Sequence, residues 1–271
     1  MTAASIRRPV PDAPVDLPPG PRTTNGAIAL ANLTARIDAL ESRLASGQAA
    51  VPAQVELAGL LALRGHALGC AADAERSAAL AEQAARDAPA DGPARLARAR
   101  ARSDGHRFAE ALADLDEAAR HGADAAAVDA ERVVILHATG RSAEALALGR
   151  AAAARRPDFA SLAALAVLHA ERNELAPAEA LFTACLARYR GVSPFPVAHL
   201  ECLRGRMWQR AGDAPRARRW YARAIERVPA YAPARDRTRE LDASPGLAEQ
   251  HSAARPAARD GGEHHVGEGR C

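Results

Sequence analysis

The chain has 271 residues, of which 48% are hydrophobic and only 3% aromatic, and its 36 basic and 33 acidic side chains leave a net charge of +3. Every one of those basic residues is arginine, so a Schiff-base lysine and a phosphate-loop lysine are both excluded. Alanine is abundant, while the β-branched and aromatic residues that favour strands are scarce; a β-sandwich or barrel is disfavoured and an all-helical chain is expected.

Residues 1–26 are rich in proline and lack apolar periodicity, which predicts a disordered tail. Arg7 and Arg8 are followed by a Pro-rich, acid-containing run that cannot serve as the apolar segment of a signal peptide. From residue 27 the pattern changes. Leu30, Leu33, Ile37, Leu40 and Leu44 step by three and four along one stripe, predicting an amphipathic helix over 27–47 that packs on the body. Residues 52–242 carry the repeating part, ending in a short capping helix, and 243–271 read as a second disordered tail. No run approaches the ~20 apolar residues of a membrane helix. Cys70, Cys185, Cys202 and Cys271 form no CxxC pair, as expected in a reducing compartment, and the chain is expected in the cytoplasm.

Within the repeating part, small residues recur in fixed columns. Ala217 is preceded at matching positions by Ala178, Ala145, Ala111 and Ser77; Ala224 by Cys185, Ala152, Ala118 and Ala84; and Gly205 by Ala166, Val133, Ala99 and Gly65. Prolines follow in register at Pro89, Pro157 and Pro229. Small residues let two antiparallel helices approach closely, and a proline after the second helix stops it and turns the chain into the next pair. Turns are expected around Gly140, Asn173 and Gly212. A single pair cannot bury its apolar face alone, so the stack is the core.

The period near 34, with Gly205, Trp208, Ala217, Tyr221, Ala224 and Pro229 spaced as they are, resembles the tetratricopeptide repeat (TPR) family. The resemblance covers roughly residues 58–230 and is strongest in the last unit. It implies an α-solenoid of about five TPR-like helix pairs, with the helix at 27–47 added in front. Where the family places an aromatic in the second helix, Tyr221 and Phe182 comply, whereas Leu115, Gly149 and Ala81 do not; Gly149 is expected to leave a gap.

The resemblance also implies an inner face, lined by the first helix of each pair, that binds a peptide or protein partner. Carried over by register, that face presents His66, Arg100, His137, His199, Arg206, Gln209 and Arg210. The lysines and asparagines of the family's carboxylate clamp are absent, which argues against a chaperone-tail adaptor. Arginines there can grip acidic groups through a planar fork.

Two His/Cys spacings invite a metal reading, because His66 with Cys70 and His199 with Cys202 each share a helix face. In an open solenoid rising ~10 Å per pair they would stand tens of ångströms apart, so no shared ion is expected and no metal ligand or cofactor is assigned. His264, His265 and Cys271 form a looser chelating set in the tail. No Gly-rich phosphate loop, HExxH or GxSxG occurs, so no catalytic residue is assigned. Arg95, Arg98, Arg100 and Arg102 spread around their helix without interleaved aromatics, against nucleic-acid binding, and are expected to be balanced by residues 114–117 on the partner helix, whose acids are placed on its outer face. The expectation is a non-catalytic scaffold, monomeric or weakly self-associating; the alternatives are an accessory in metal handling through the His/Cys tail and an auxiliary partner of a separately encoded enzyme.

Overall fold

The computed structural model describes residues 20–47 and 50–243. The expected tails therefore lie almost wholly outside the described residues, as do His264, His265 and Cys271. Among the described residues all regular structure is helical: α1 (Gly26–Ala45), α2 (Val51–Leu68), α3 (Ala71–Asp87), α4 (Gly92–Asp104), α5 (Phe108–Arg120), α6 (Ala125–Ala138), α7 (Ser142–Arg155), α8 (Phe159–Glu171), α9 (Leu175–Arg188), α10 (Phe195–Arg210), α11 (Ala214–Arg227) and α12 (Ala232–Ala243). No helix among the described residues is long and apolar enough to cross a membrane.

Sequential neighbours pack in pairs, α2 with α3 through α10 with α11, and the first helices of successive pairs also touch. One turn is repeated five times. Gly69, His106, Gly140, Asn173 and Gly212 each take positive φ just past the first helix of a pair. The next residue's N–H then donates to a carbonyl five positions back: Cys70 to Gly65, Arg107 to Arg102, Arg141 to Leu136, Glu174 to His169 and Asp213 to Trp208, all at 2.8–2.9 Å. This is the Schellman closure, which satisfies orphan carbonyls at a helix end. Asp91, Asp124 and Asp158 cap the starts of α4, α6 and α8 by accepting backbone N–H bonds.

The small-residue columns lie at the helix crossings. Ala84, Ala99, Ala111, Ala118, Ala145, Ala166, Ala178, Ala217 and Ala224 have no accessible surface. In the first pair Gly65 and Ser77 are also buried, but the turn falls at Gly69, three positions ahead of the shared register. Gly149 leaves no gap of its own, because Leu168 and Leu165 close over it and a Cβ there would stand 3.2 Å from Leu168 Cδ1; a cleft of about 230 Å³ does open nearby between α6, α7 and α8. Cys185 and Cys202 are core residues, and burial pushes their thiols up, to about 12 and about 11.

Buried charges are paired between helices. Asp114 is not on a solvated outer face as the spacing had suggested; it is buried on α5 and accepts from both Arg98 and Arg102 of α4. Asp116 remains exposed and receives Arg132. Glu201, fully buried on α10, accepts two bonds from Arg227 of α11, at 2.9 and 3.0 Å.

The stack does not stay open. The largest core cluster unites Ile37 and Leu40 of α1, Leu57 and Leu61 of α2, Cys202 of α10, Tyr221 of α11 and Tyr231 with Ala234 at the start of α12. The chain thus makes one superhelical turn and its ends meet, α12 packing against α2. Thr24 N–H donates to the Val192 carbonyl at 2.8 Å, so the loop before α10 secures the N-terminal segment. Gly26 seals the junction by close approach, since a Cβ there would stand 2.3 Å from the Arg227 carbonyl oxygen. The first and last units are in contact, and the separation of tens of ångströms drawn from an open solenoid is overturned.

Candidate functional site: the inner face and the seam

The first helices of the pairs carry the predicted residues, and the structure sorts them into separate groups. On α4, Arg100 faces Glu131 of α6 at 3.8 Å. Burial holds the Glu131 carboxyl above the usual range despite that arginine, and burial raises Asp104 as well. Between α8 and α10, Arg206 and Arg210 converge on the Glu171 carboxylate, Arg206 at 3.6 Å and Arg210 in direct contact. Arg210 also donates to the Glu171 backbone carbonyl at 3.0 Å.

Gln209 points elsewhere. Its Oε1 accepts the Tyr221 hydroxyl at 2.6 Å, so it braces α10 against α11. His137 stands apart on α6, where its Nδ1 is buried with no hydrogen-bond partner.

His66 and His199 come together. His66 Nε2 lies 3.2 Å from His199 Nδ1, and the Tyr231 hydroxyl lies 3.0 Å from both. The seam creates this contact: His66 is in the last turn of α2, His199 in the first turns of α10, and Tyr231 immediately precedes α12. Both rings keep solvent-facing surface, yet protein surrounds them closely enough to oppose charging. Desolvation pushes His199 down to about 4, helped by His66 and Arg206, and lowers His66 too. The imidazoles are therefore neutral near pH 7 with their nitrogen sites available. Burial raises the Tyr231 phenol.

Tyr231, Asp104 and Glu131 escaped the sequence reading. Tyr231 lies in the link after Pro229, outside the repeat columns, and only the closure of the turn places it beside two histidines. Cys202 packs in the same core cluster as Tyr231, but among the described residues no three His, Cys, Asp or Glu side chains form a group that could hold a metal ion.

No family model matches the chain, and no curated protein matches it. Solved structures do. The chain is similar to a tetratricopeptide repeat protein from Parabacteroides merdae, with a TM-score of 0.58 and 15% identity over 73% of each chain. It is similar to a thermophilic TPR protein of Thermus thermophilus, with a TM-score of 0.58 and 18% identity over 72% of this chain and 100% of that one. A third neighbour, from the APC/C hetero-tetramer Cut9–Hcn1, gives 0.57 and 15% over 83% of this chain and 42% of that one. With the repeated turn, the buried small-residue columns and these neighbours together, the chain has the fold of a tetratricopeptide-repeat solenoid.

Proposed function

We propose that the chain is a non-catalytic scaffold whose inner face holds an acidic segment of a protein or peptide partner. The observation that carries this reading is the surplus of cation at the α8–α10 groove, where Arg206 and Arg210 share the one carboxylate of Glu171 while keeping 42% and 44% of their side chains exposed. A second carboxylate can enter beside Glu171 and meet guanidinium forks already turned toward it. Val167, Leu203 and Met207 pack beneath these side chains where α8 crosses α10, in a crevice of only about 10 Å³, so the acidic segment is held at the surface by the guanidinium groups. His66, Arg100, His137 and His199 extend the face toward the first units, and Gln209 holds α10 in place from behind. One structural neighbour stands in a complex between protein chains, the Cut9–Hcn1 hetero-tetramer, which is in keeping with this role. The chain acts as a monomer in this reading, because its two ends cover each other.

The test uses a fluorescent Glu-rich peptide and its Gln-substituted counterpart, read by anisotropy at low and moderate salt. The acidic peptide is expected to bind the parent chain, and Arg206→Glu with Arg210→Glu is expected to weaken it at least about tenfold, the loss of two charge-assisted contacts. Equal binding by the parent and the double variant, or by the two peptides, overturns the proposal.

A further inference from the structure

We propose that the seam binds one divalent transition-metal ion through His66 Nε2, His199 Nδ1 and Tyr231 Oη, with a fourth position left open to solvent. The three atoms form a near-equilateral triangle with sides of 3.2, 3.0 and 3.0 Å. Protons can bond two of its edges and leave the third a bare contact. Each imidazole nitrogen offers a single in-plane site, and the phenol carries a single proton. At most two of the three edges can be hydrogen bonds, and the N···N edge is left without one in the chain His66 N–H to Tyr231 oxygen, Tyr231 O–H to His199. One cation above the triangle uses one lone pair of each group at once.

The dimensions match such an ion. Metal–ligand bonds of about 2.0 Å in tetrahedral array set neighbouring ligand atoms roughly 3.3 Å apart and two ligating imidazole centroids about 5 Å apart. The observed centroids of His66 and His199 are 5.0 Å apart, with ring planes inclined at 75°. Two imidazoles and a phenol suit zinc, copper or iron better than calcium or magnesium. Three protein ligands with an open position is also the arrangement of sites that take up an exogenous ligand. When the ion binds, the Tyr231 hydroxyl proton leaves to solvent, and the His66 ring proton moves from Nε2 to Nδ1 by exchange with solvent, so that each ligating atom presents a lone pair. Because the ligands come from α2, α10 and the link before α12, the ion would clasp the two ends of the solenoid.

The test uses the full chain carrying His264→Ala, His265→Ala and Cys271→Ser, so that the tail cannot chelate. Co²⁺ is titrated in and its visible ligand-field bands recorded. One equivalent per chain, with the intense bands of a four-coordinate ion that Zn²⁺ displaces, is expected. His66→Ala and His199→Ala should each abolish the bands, and Tyr231→Phe should weaken binding about ten-fold or more. Helicity by circular dichroism checks that the variants are folded. Independently of any variant, Zn²⁺ should slow hydrogen exchange in the seam segments 62–69 and 195–202 of the parent. Absence of stoichiometric Co²⁺ binding, bands that survive loss of both histidines in a folded chain, or exchange slowed only outside the seam overturns the proposal.

Discussion

Gly205 of α10 lies directly beneath the ring of Tyr221 on α11: a Cβ at that position would stand 2.5 Å from the tyrosine Cε1 and 2.6 Å from Cδ1. Both residues are buried, so neither can give way into solvent. Gly205→Ala is expected to destabilise the chain by about 1–3 kcal/mol, the usual cost of overpacking. Urea unfolding measures it. Adding Tyr221→Leu, which removes the obstructing ring, should make the glycine substitution nearly neutral in that background, a coupling a double-mutant cycle reads directly.

Ile37 has no accessible surface although its helix precedes the repeats. It belongs to the cluster that joins α1 and α2 to α10, α11 and α12. Ile37→Ala should therefore cost about 2–5 kcal/mol, as for a fully buried aliphatic residue. It should also loosen both ends of the chain together, seen as faster hydrogen exchange in α2 and in the segment 228–234. Loosening of α1 alone would contradict a shared core.

Arg204 is 2% exposed, lies 3.9 Å above the Trp220 ring, and donates to Glu179 and Thr183. Glu179 keeps 34% of its side chain exposed and can rehydrate if the arginine is lost. Arg204→Ala is expected to cost about 3 kcal/mol, since it also empties the space over Trp220. Arg204→Met keeps that packing and should cost about 1 kcal/mol. Equal losses for both variants would mean that the ion pair, not the stacking, holds α10 to α9 and α11.

Glu131 is held above its ordinary pKa chiefly by burial, opposed by the Ser103 hydrogen bond and Arg100, with the Asp104 charge adding to the rise. The folded state thus retains a proton that the unfolded state has released, and this carboxyl lowers stability as pH rises from its unfolded pKa through its folded one. Glu131→Gln should raise the thermal midpoint at pH 7.5. The gain should shrink as pH falls toward the ordinary carboxylate range, where both states become protonated. A gain that is constant with pH would assign the effect to something other than ionisation.

Much of the fold is legible in the sequence because its determinants are local. The turns at Gly140, Asn173 and Gly212 are marked by residues that tolerate the left-handed conformation, and the alanine columns mark the helix crossings. The first pair is less regular, and its turn at Gly69 departs from the shared register because the buried face of a helix keeps its period when the turn moves by about one helical turn. The site was legible only in part. Register brings Arg206 and Arg210 to one groove, but which acid they share depends on the angle between α8 and α10. The meeting of His66 with His199 depends on curvature summed over every pair, a quantity no single repeat encodes. The role of Gln209 was likewise hidden, because a position on the inner helix face can still send its side chain back to Tyr221.

The contact of α12 with α2 fixes how many units this chain can have. An open solenoid tolerates duplication or loss of a repeat, because each unit answers only to its neighbours. Here an inserted pair would drive the two ends apart and expose the apolar faces of α1 and α12, while a deleted pair would leave them unable to reach each other. Repeat number, free to drift in a linear array, becomes a fixed integer once the array has closed on itself.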